Sequence, residues 1–504
     1  MILPEPTRAG ELRSVMPMVG QPGVHIEEVV TPPVIIGVDT AITAFVGRAA
    51  RGLVDDPIPI TSFLEFERVF GGLWPKSDLG HSVQDFFDQG GRKAIVVRAH
   101  RPSPDDVATL TWGRGRNSLD LEASSPGAWG RRLSARIDPL RGGRRFDLTV
   151  RDGTGLEEVF SGVSLAPGSM RRVDRVLQDS LLVRARLPLP SALSTGMPAI
   201  VTAVGGNDGA RFGASAYTGP GLSESGRGIY ALDRADLINL VVLPPYSATG
   251  VARTVLDAAL AYAGERRAML IIDPPRSWRT ADEAVAGAPT YLTGRDAALY
   301  FPWLRRPDPL RGGLSREFAP SGAIAGLFSR LDLSRGVWKA PAGDGAGLHG
   351  FEPSLSLTTA DIERLNPLGV NCIRSLPGQG TVVWGARTRS DDPEWKYVNV
   401  RRLGLFLEQS IDRGLQWSVF EPNDETLWTR VRGQVENFLH GLFRQGAFPG
   451  SKPEECYFVR CGPDTMTLDD IDQGRLIVMI GFAPARPAEF VVLRIGRWLS
   501  PDDD

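Results

Sequence analysis

Cysteine and histidine are scarce in this chain. Its 504 residues include three cysteines and five histidines, and none of them stands at a spacing typical of a metal site or a disulfide framework. So few thiols suit a reducing compartment, which favours assembly in the cytoplasm. The composition therefore predicts neither a disulfide-stapled secreted domain nor a metal site. The cysteines are Cys372, Cys456 and Cys461.

Long apolar runs and an excess of one charge are also missing. No stretch of about 18 apolar residues occurs, so no transmembrane helix is predicted. The opening residues, MILPEPTRAGELRSVMPMVG, are interrupted by prolines and glutamates and do not resemble a signal peptide. Lys+Arg is 57 and Asp+Glu is 59, which gives a net charge of −2. We therefore expect neither a nucleic-acid partner nor a membrane partner.

The short motifs of common catalytic sites are absent as well. No Gly-Lys dipeptide exists, so there is no phosphate-binding loop, and neither G-x-S-x-G nor H-E-x-x-H occurs. Gly345, Gly347 and Gly350 match G-x-G-x-x-G, but Pro341 precedes them and Phe351-Glu352-Pro353 follows. That context predicts a loop rather than a dinucleotide site. We expect no catalytic residue and no cofactor.

What the sequence does contain is a mixed α/β pattern in blocks. Short helices and buried strands alternate in residues 31–100 and again in 205–350, whereas 101–204 reads as short alternating strands between Gly and Pro turns. Residues 351–487 combine strands with two long amphipathic helices. The pattern predicts a multidomain α/β fold with a β-rich insertion.

Apolar stripes locate several helices. Ser62 and Glu65 have capping-box spacing before a short helix, and Asn423 or Asp424 is placed to cap a later one. QWSVFEP, between the two long helices, has a strand pattern. The stripes are Ile324, Leu327, Phe328 and Leu331; Val400, Leu403, Leu407 and Ile411 in a helix over 394–413; and Leu427, Val431, Val435, Leu439 and Leu442.

Tryptophan and arginine are concentrated between residues 366 and 428. Large aromatic side chains fill cores and interfaces, and Trp with Arg is typical of strong protein–protein contacts. We expect these side chains to pack in the core or against a partner. They are Trp384, Trp395, Trp417, Trp428, Arg387, Arg389, Arg401 and Arg402.

Both ends of the chain carry strand patterns, PGVHIEEVV and AEFVVLRIGRW. Each is too short to form a stable sheet alone. Val24 and Ile26 form one apolar face, and Val491, Leu493 and Ile495 form another. A lone edge strand in water promotes aggregation, so each terminal strand needs a sheet to join.

Segments along almost the whole chain carry a family resemblance. They begin with PGVHIEEV and continue through HSVQDFFDQGGRKAIVVR, GNDGARFGASAYTG and PSGAIAGLFSRLDLSRGVWKAPAG. They are densest in LNPLGVNCIR, VWGARTRSDDPEWKYVNVRRL, WSVFEPNDETLW and DQGRLIVMIGFAPARPAEFVVLRIG. In this order the chain resembles the contractile tail sheath proteins of bacteriophages and of related extracellular contractile injection systems.

The resemblance implies a structural subunit rather than an enzyme. Such sheaths stack as hexameric rings around an inner tube and contract to drive the tube through a target envelope. The implied partners are further copies of the chain, the inner tube protein, and baseplate and terminal cap proteins. The implied core domain is discontinuous, with parts at 31–100 and 351–487, and the segments 101–204 and 205–350 are inserted in it.

The resemblance also implies that the terminal arms, 1–30 and 488–504, are donated into a neighbouring subunit's sheet. Main-chain hydrogen bonds would then join subunits by β-augmentation. The residues expected to pair between subunits are Val24, Ile26, Glu28, Phe490, Val491, Val492, Leu493 and Ile495.

TLDDIDQG is a candidate surface toward the inner tube. Asp469, Asp470 and Asp472 would face the partner, while Leu468 and Ile471 anchor the segment. A solvated turn is an equal alternative.

Two other functional classes compete with a sheath subunit. An α/β enzyme of unknown substrate could use 205–350, but that hypothesis needs a phosphate cradle or an acid–base pair, and the sequence supplies none. A secreted adhesin or toxin fits poorly with three cysteines and the missing signal pattern.

Overall fold

A computed structural model describes residues 34–140, 145–193 and 198–489 as a mixed α/β fold. The strands are β1 (Thr43–Gly47), β2 (Ile58–Ile60), β3 (Ala94–Arg98), β4 (Ala108–Trp112), β5 (Leu119–Ala123), β6 (Ser134–Pro139), β7 (Arg145–Arg151), β8 (Glu157–Ser164), β9 (Val183–Ala185), β10 (Ile200–Thr202), β11 (Val204–Gly205), β12 (Leu240–Val242), β13 (Met269–Ile272), β14 (Ala297–Phe301), β15 (Leu304–Pro307), β16 (Ser315–Phe318), β17 (Glu352–Pro353), β18 (Val370–Leu376), β19 (Gly380–Trp384), β20 (Tyr457–Arg460) and β21 (Met479–Phe482). The α-helices are α1 (Phe63–Phe70), α2 (Leu79–Asp88), α3 (Val173–Val176), α4 (Ser215–Thr218), α5 (Arg253–Glu265), α6 (Ala281–Gly287), α7 (Ser321–Arg335), α8 (Thr359–Leu365), α9 (Val398–Gly414), α10 (Glu425–Arg444), α11 (Pro453–Cys456) and α12 (Leu468–Asp472).

The largest element is an eight-stranded sheet with the order β19-β18-β14-β13-β12-β1-β3-β2. Its six inner strands are parallel, and the two edge strands, β19 and β2, pair antiparallel. The inner strands are short apolar runs such as MLII and AALYF, because both faces of the sheet are covered. Strands from the predicted segments 31–100, 205–350 and 351–487 all lie in this one sheet; where one domain ends and another begins stays a prediction.

Helices cover both faces of this sheet and bury a separate core on each. Helices α1, α2 and α7 pack on one face, around Phe45, Phe86 and Phe328. Helices α5, α6 and α8 pack on the other, around Leu270 and Leu299. None of the helices among the described residues is both long and apolar enough to cross a membrane.

Helix α7 is buried on nearly all sides, although its apolar stripe predicts one buried face. It lies between the sheet and α2, and Gly322 and Gly326 allow the close approach. A Cβ at either glycine would lie 2.3 Å from a backbone oxygen of α2, at Ser82 and Phe86 respectively. The two helices therefore pack backbone to backbone along SGAIAG.

The insertion between β3 and β12 forms two four-stranded antiparallel sheets, β10-β6-β7-β8 and β11-β4-β5-β9. They enclose a core of their own around Trp112, Leu121 and Leu148, whose side chains alternate with polar residues along each strand. The predicted fold class, an α/β fold with a β-rich insertion, is confirmed.

The chain ends its described part with α9, α10 and the two-stranded sheet β20–β21. All residues of the two predicted stripes are buried, and Asp424 caps α10 by accepting a hydrogen bond from the Leu427 amide at 2.9 Å. Ser62 likewise caps α1. The strand prediction for QWSVFEP is wrong: Gln416–Ser418 is a 3₁₀ turn, and Val419 and Phe420 project outward with no strand beside them in the described chain.

The close packing of α2 on α7 predicts that Gly326→Ala is destabilising. The new methyl group would meet the Phe86 carbonyl oxygen, which belongs to helix backbone and cannot turn away, so we expect a loss of about 1–3 kcal/mol in a urea melt of the unassembled subunit. Gly433→Ala in α10 is the matched control, because nothing lies within 4 Å of the added methyl group. The control should be neutral or stabilising by about 0.5–1 kcal/mol. Equal stability of the two variants would contradict the packing argument.

Candidate assembly surface

The two-stranded sheet β20–β21 has no third strand among the described residues. The Ala483 amide donates to the Cys456 carbonyl at 2.7 Å, so these two residues form a hydrogen-bonded pair. Such pairs alternate along an antiparallel ladder, and the amides of Val459 and Ile480 therefore point away from the partner strand. Both outer edges of the sheet offer backbone donors and acceptors to a further strand.

One face of this sheet packs on α9 and α10, and the other face remains exposed. Val459, Ile480 and Phe482 belong to the packed face. On the opposite face, Phe458 and Met479 are 46% and 48% exposed. The Phe458 ring covers Gly481 on the neighbouring strand, since a Cβ at that glycine would lie 2.1 Å from the ring. The sheet is thus supported from one side and open at both edges.

The N-terminal end of the described chain lies along α9. The Val38 amide donates to Ser410 Oγ at 3.2 Å, and Ile35 packs so closely on Gly414 that a Cβ there would approach it to 2.6 Å. Gly37 makes a similar approach to Phe406. Residues 35–38 therefore lie against the C-terminal half of this helix.

The C-terminal end of the described chain is held near the start of the same helix. Asn399 Nδ2 donates to the Ala485 carbonyl at 2.9 Å. Glu489 accepts hydrogen bonds from Arg387 Nε at 2.7 Å and Nη2 at 2.5 Å, and from the Tyr397 hydroxyl at 3.1 Å. The first described residues thus contact α9 itself, and the last ones contact the start of α9 and residues that precede it.

The Arg387–Glu489 pair is a strong electrostatic contact. Burial by itself raises the pKa of Glu489, but the hydrogen bonds and charge of Arg387 outweigh it and hold that pKa below its ordinary value. The same hydrogen bonds raise the pKa of Arg387. Arg387 is itself positioned by Asn371, whose Oδ1 accepts from the Arg387 amide at 2.7 Å.

Two buried ion pairs fasten α9 to the rest of the molecule. Arg401 Nε contacts Asp296 Oδ1 at 2.6 Å, next to the start of β14. Arg402 donates to Asp332 of α7 through Nη1 at 2.9 Å and through Nη2 at 2.5 Å. Arg402 Nη2 also donates to the Thr40 carbonyl at 2.8 Å.

The Trp- and Arg-rich stretch therefore serves the interior as well as the surface. The four arginines singled out from its sequence, Arg387, Arg389, Arg401 and Arg402, are at most 7% exposed. Arg389 donates to three backbone carbonyls, those of Leu292, Leu368 and Ala288. Trp428 is buried, whereas Trp384 is 40% exposed. The sequence singles out these residue types correctly but does not reveal Asp296 or Asp332 as their partners.

Two family models match adjoining parts of the chain. The phage tail sheath protein central domain matches residues 218–389, and the phage tail sheath C-terminal domain matches residues 390–496. A prophage major tail sheath protein of Pseudomonas aeruginosa (strain UCBPP-PA14) is 29% identical over 268 residues, which are 52% of this chain and 66% of that protein. The tail sheath protein of Burkholderia phage BcepMu is 23% identical over 438 residues, 82% of this chain and 84% of its own length. The chain belongs to the contractile tail sheath family.

Solved sheath structures share the fold over nearly the whole chain. The sheath complex of PVC, an extracellular contractile injection system, in its contracted state covers 95% of this chain and 98% of its own, with a TM-score of 0.60 and 24% identity. The contracted helical sheath of the anti-feeding prophage matches 94% of this chain and 98% of its own chain, with a TM-score of 0.58 and 25% identity. Since its relatives are sheath proteins, this chain is a structural subunit, and the enzyme alternative is set aside.

The residues predicted to form the inter-subunit arms lie outside the described residues. They are Val24, Ile26, Glu28, Phe490, Val491, Val492, Leu493 and Ile495. Val34 and Glu489 are the described residues nearest to them in sequence.

The acidic segment at Asp469, Asp470 and Asp472 forms α12. Asp470 Oδ2 accepts from the Thr467 amide and hydroxyl at 2.9 and 2.7 Å, which makes a capping box, and its other oxygen pairs with Arg475 at 2.9 Å. The prediction that Leu468 anchors this segment is wrong, because its side chain is 81% exposed. It stands at the first position of the helix, outside the small core that Ile471 joins.

The remaining candidate groups take no part in a site among the described residues. No cluster of His, Cys, Asp or Glu there could hold a metal ion, and the three cysteines are buried and unpaired. Gly345, Gly347 and Gly350 lie in a loop along the outer edge of β19, where the Val383 amide donates to the Ala346 carbonyl at 3.0 Å. No helix begins at this loop.

Replacing Glu489 by Gln should loosen the C-terminal segment. The variant keeps the side-chain shape but loses the charge opposite Arg387, so hydrogen exchange of the peptide around 483–489 should report about 1–3 kcal/mol less protection. Because the pKa of Glu489 is lowered, its stabilisation is present above the unfolded value of about 4.3 and is lost as pH falls through the folded value. The wild-type segment should therefore open in acid, and the Gln variant should lose this pH dependence. Glu363 and Glu489 line one surface groove, but Glu363 has no ion pair in the described chain, so Glu363→Gln is the control. An equal effect there would contradict the prediction.

Proposed function

We propose that this chain polymerises as stacked hexameric rings around an inner tube and contracts to drive that tube through a target cell envelope. The observation that carries the proposal is the sheet β20–β21, which is supported on α9 and α10 and has two open edges. The relatives include a contracted helical sheath and a baseplate of the anti-feeding prophage, which supports contraction and a baseplate partner for this chain.

The terminal arms supply the missing strands of that sheet. An arm donated by a neighbouring copy adds to each open edge of β20–β21 by main-chain hydrogen bonds. Bonds of this kind depend little on how far two subunits tilt, so neighbouring rings stay linked while they move. Since both arms start beside α9, each subunit gives and receives strands at the same part of its fold.

The energy of contraction comes from the difference between two packings of the same subunits. The further partners are the inner tube protein and a terminal cap protein. The particle is assembled in the cytoplasm, as a phage tail or as a tail-like particle that is later released from the cell. The β-rich insertion, with its own core, suits the outside of such a sheath.

Helix α12 is the proposed surface toward the inner tube. Asp470 is engaged in capping its own helix. Asp469 pairs with Arg475 at 3.5 Å but its side chain stays 74% exposed, and Asp472 is exposed without an ion pair in the described chain, so these two carboxylates face the partner, with Leu468 beside them. Asp469 also accepts from Gln473 at 2.7 Å, which keeps its carboxylate at the helix surface.

Blocking an edge of the two-stranded sheet should prevent assembly without unfolding the subunit. In Ile480→Pro the ring replaces an amide hydrogen that points outward, so the β20–β21 ladder stays intact while the edge loses its donor. Ile480→Ala is the matched control, because it loses similar packing and keeps the amide. We expect folded monomers and no tubes for the Pro variant by electron microscopy, and tubes for the Ala variant.

Deletion of residues 1–30 or 490–504 should act like the Pro variant; normal tubes from either deletion would contradict the arm proposal.

Charge reversal on α12 should weaken recruitment of the inner tube. Asp469→Lys with Asp472→Lys leaves the capping residue Asp470 in place, so the melting temperature should stay within about 2 °C of wild type. Empty sheaths should still form, and co-sedimentation with the tube protein should fall. Asp179→Lys with Glu224→Lys, at two exposed positions without an ion pair in the described chain, is the control for added charge. Undiminished recruitment by the α12 variant would favour the simple solvated turn.

A further inference from the structure

The turn between α9 and α10 exposes an aromatic side chain in a strained conformation. Phe420 is fully exposed, at 103% of its reference area, and its φ of +70° lies in the left-handed region that bulky residues avoid. Val419 beside it is 55% exposed. For an isolated subunit this arrangement has only costs: strain, and apolar surface in water.

Hydrogen bonds on both sides hold this turn rigid. Trp417 Nε1 donates to Gln434 Oε1 at 2.9 Å on one side. On the other side, Trp428 Nε1 donates to Asn423 Oδ1 at 2.7 Å, and Asn423 Nδ2 donates to the Arg475 carbonyl at 3.1 Å. Phe420 is therefore presented by a fixed scaffold, and Glu421 follows it directly.

A groove of about 980 Å³ lies at the opposite end of the same helix pair. It contains Asn399 from the start of α9, and Gln445 and Gly446 from just beyond the end of α10. Because α10 has 20 residues, roughly 30 Å separate the groove from the exposed turn. One subunit thus carries an apolar knob and a groove at two ends of one rigid unit.

The groove matches the turn in chemistry. Trp338 and Trp384 provide aromatic walls, and Arg374 lies over the Trp384 ring at 5.6 Å. Arg374 Nε is buried without a hydrogen-bond partner in the described chain. The groove is lined by four cations that make no ion pair with any described residue, namely Arg335, Lys339, Arg374 and Arg486, and by one carboxylate in the same condition, Glu363, so its unpaired charge is positive.

We propose that the Val419–Phe420 turn of one copy docks in this groove of a second copy. Phe420 packs between the tryptophans, and Glu421 faces the unpaired cations. Because knob and groove are different surfaces at opposite ends of one unit, the contact is head to tail, and it repeats from copy to copy around a ring or along a helix. This inference rests on the proposed self-assembly and adds a specific inter-subunit contact to it, separate from the terminal arms.

The first test compares assembly with the stability of the unassembled subunit. Phe420→Ala should raise the critical concentration for tube formation roughly tenfold or more, because a buried aromatic anchor is lost. Phe420→Gly should do the same while its melting temperature stays equal to wild type or rises, since glycine tolerates the positive φ. Met170→Ala, which removes another exposed apolar side chain, should assemble like wild type. Wild-type assembly by Phe420→Ala would overturn the proposal.

The second test identifies the occupant. Full-length Glu421→Cys and Lys339→Cys variants are mixed, assembled and treated with a short bis-maleimide; the chain's own cysteines are buried. We expect crosslinked dimers only in the mixture, and none when Met170→Cys replaces Glu421→Cys. Normal tubes from the mixture of the two cysteine variants without this crosslink would overturn the docking and leave the sheath function intact. A Phe420 effect seen only with the inner tube protein present would do the same. Failure of wild-type chain to form tubes would instead count against the proposed function.

Discussion

The buried ion pair between Arg402 and Asp332 is the contact on which the C-terminal half of the molecule depends. It joins α9 to α7. Thr40 bonds to both partners: its hydroxyl donates to Asp332 Oδ2 at 2.6 Å, and its carbonyl accepts from Arg402 Nη2. Three parts of the chain therefore meet at one guanidinium, with Asp332 70 residues and Thr40 362 residues away from Arg402 in sequence. Loss of one partner would leave the other charge buried and uncompensated, which costs about 3–5 kcal/mol. Arg401, the residue before Arg402, forms a second buried ion pair with Asp296.

This anchoring explains why α9 suits the transmission of force between subunits. The N-terminal segment is bonded at Ser410, and the C-terminal segment at Asn399, eleven positions or roughly 16 Å away along the helix. The helix also supports the sheet that is proposed to receive a neighbour's strands. If the proposed arms carry load between subunits, that load acts on a helix that one ion pair holds beside β14 and another holds to α7, and not on a surface loop.

Local patterns in the sequence predict the helices well. The stripes of α9 and α10 and the caps at Ser62 and Asp424 depend on residues within one or two turns, where the physics is local. The partners of the α9 arginines are not predictable in this way, since Asp296 and Asp332 lie 105 and 70 residues away. The same limit applies to the central sheet, whose strands come from three separate blocks. QWSVFEP shows the opposite failure: it has strand-forming residues, but in the described structure no strand lies beside it to pair with.

The least favourable features of the isolated subunit are found together in its C-terminal part. Two open strand edges, the exposed Leu468 and the strained Phe420 all lie on elements that pack against α9 and α10 or connect them. A monomer selected for stability alone would cover or remove such features. The central sheet, by contrast, buries both faces and its helices pack backbone to backbone. The described fold thus combines a body whose sheet is covered on both faces with a part whose strand edges and apolar side chains are not covered by any described residue. We propose that other copies of the chain cover this part, and it could then exchange one set of contacts for another while the body stays unchanged.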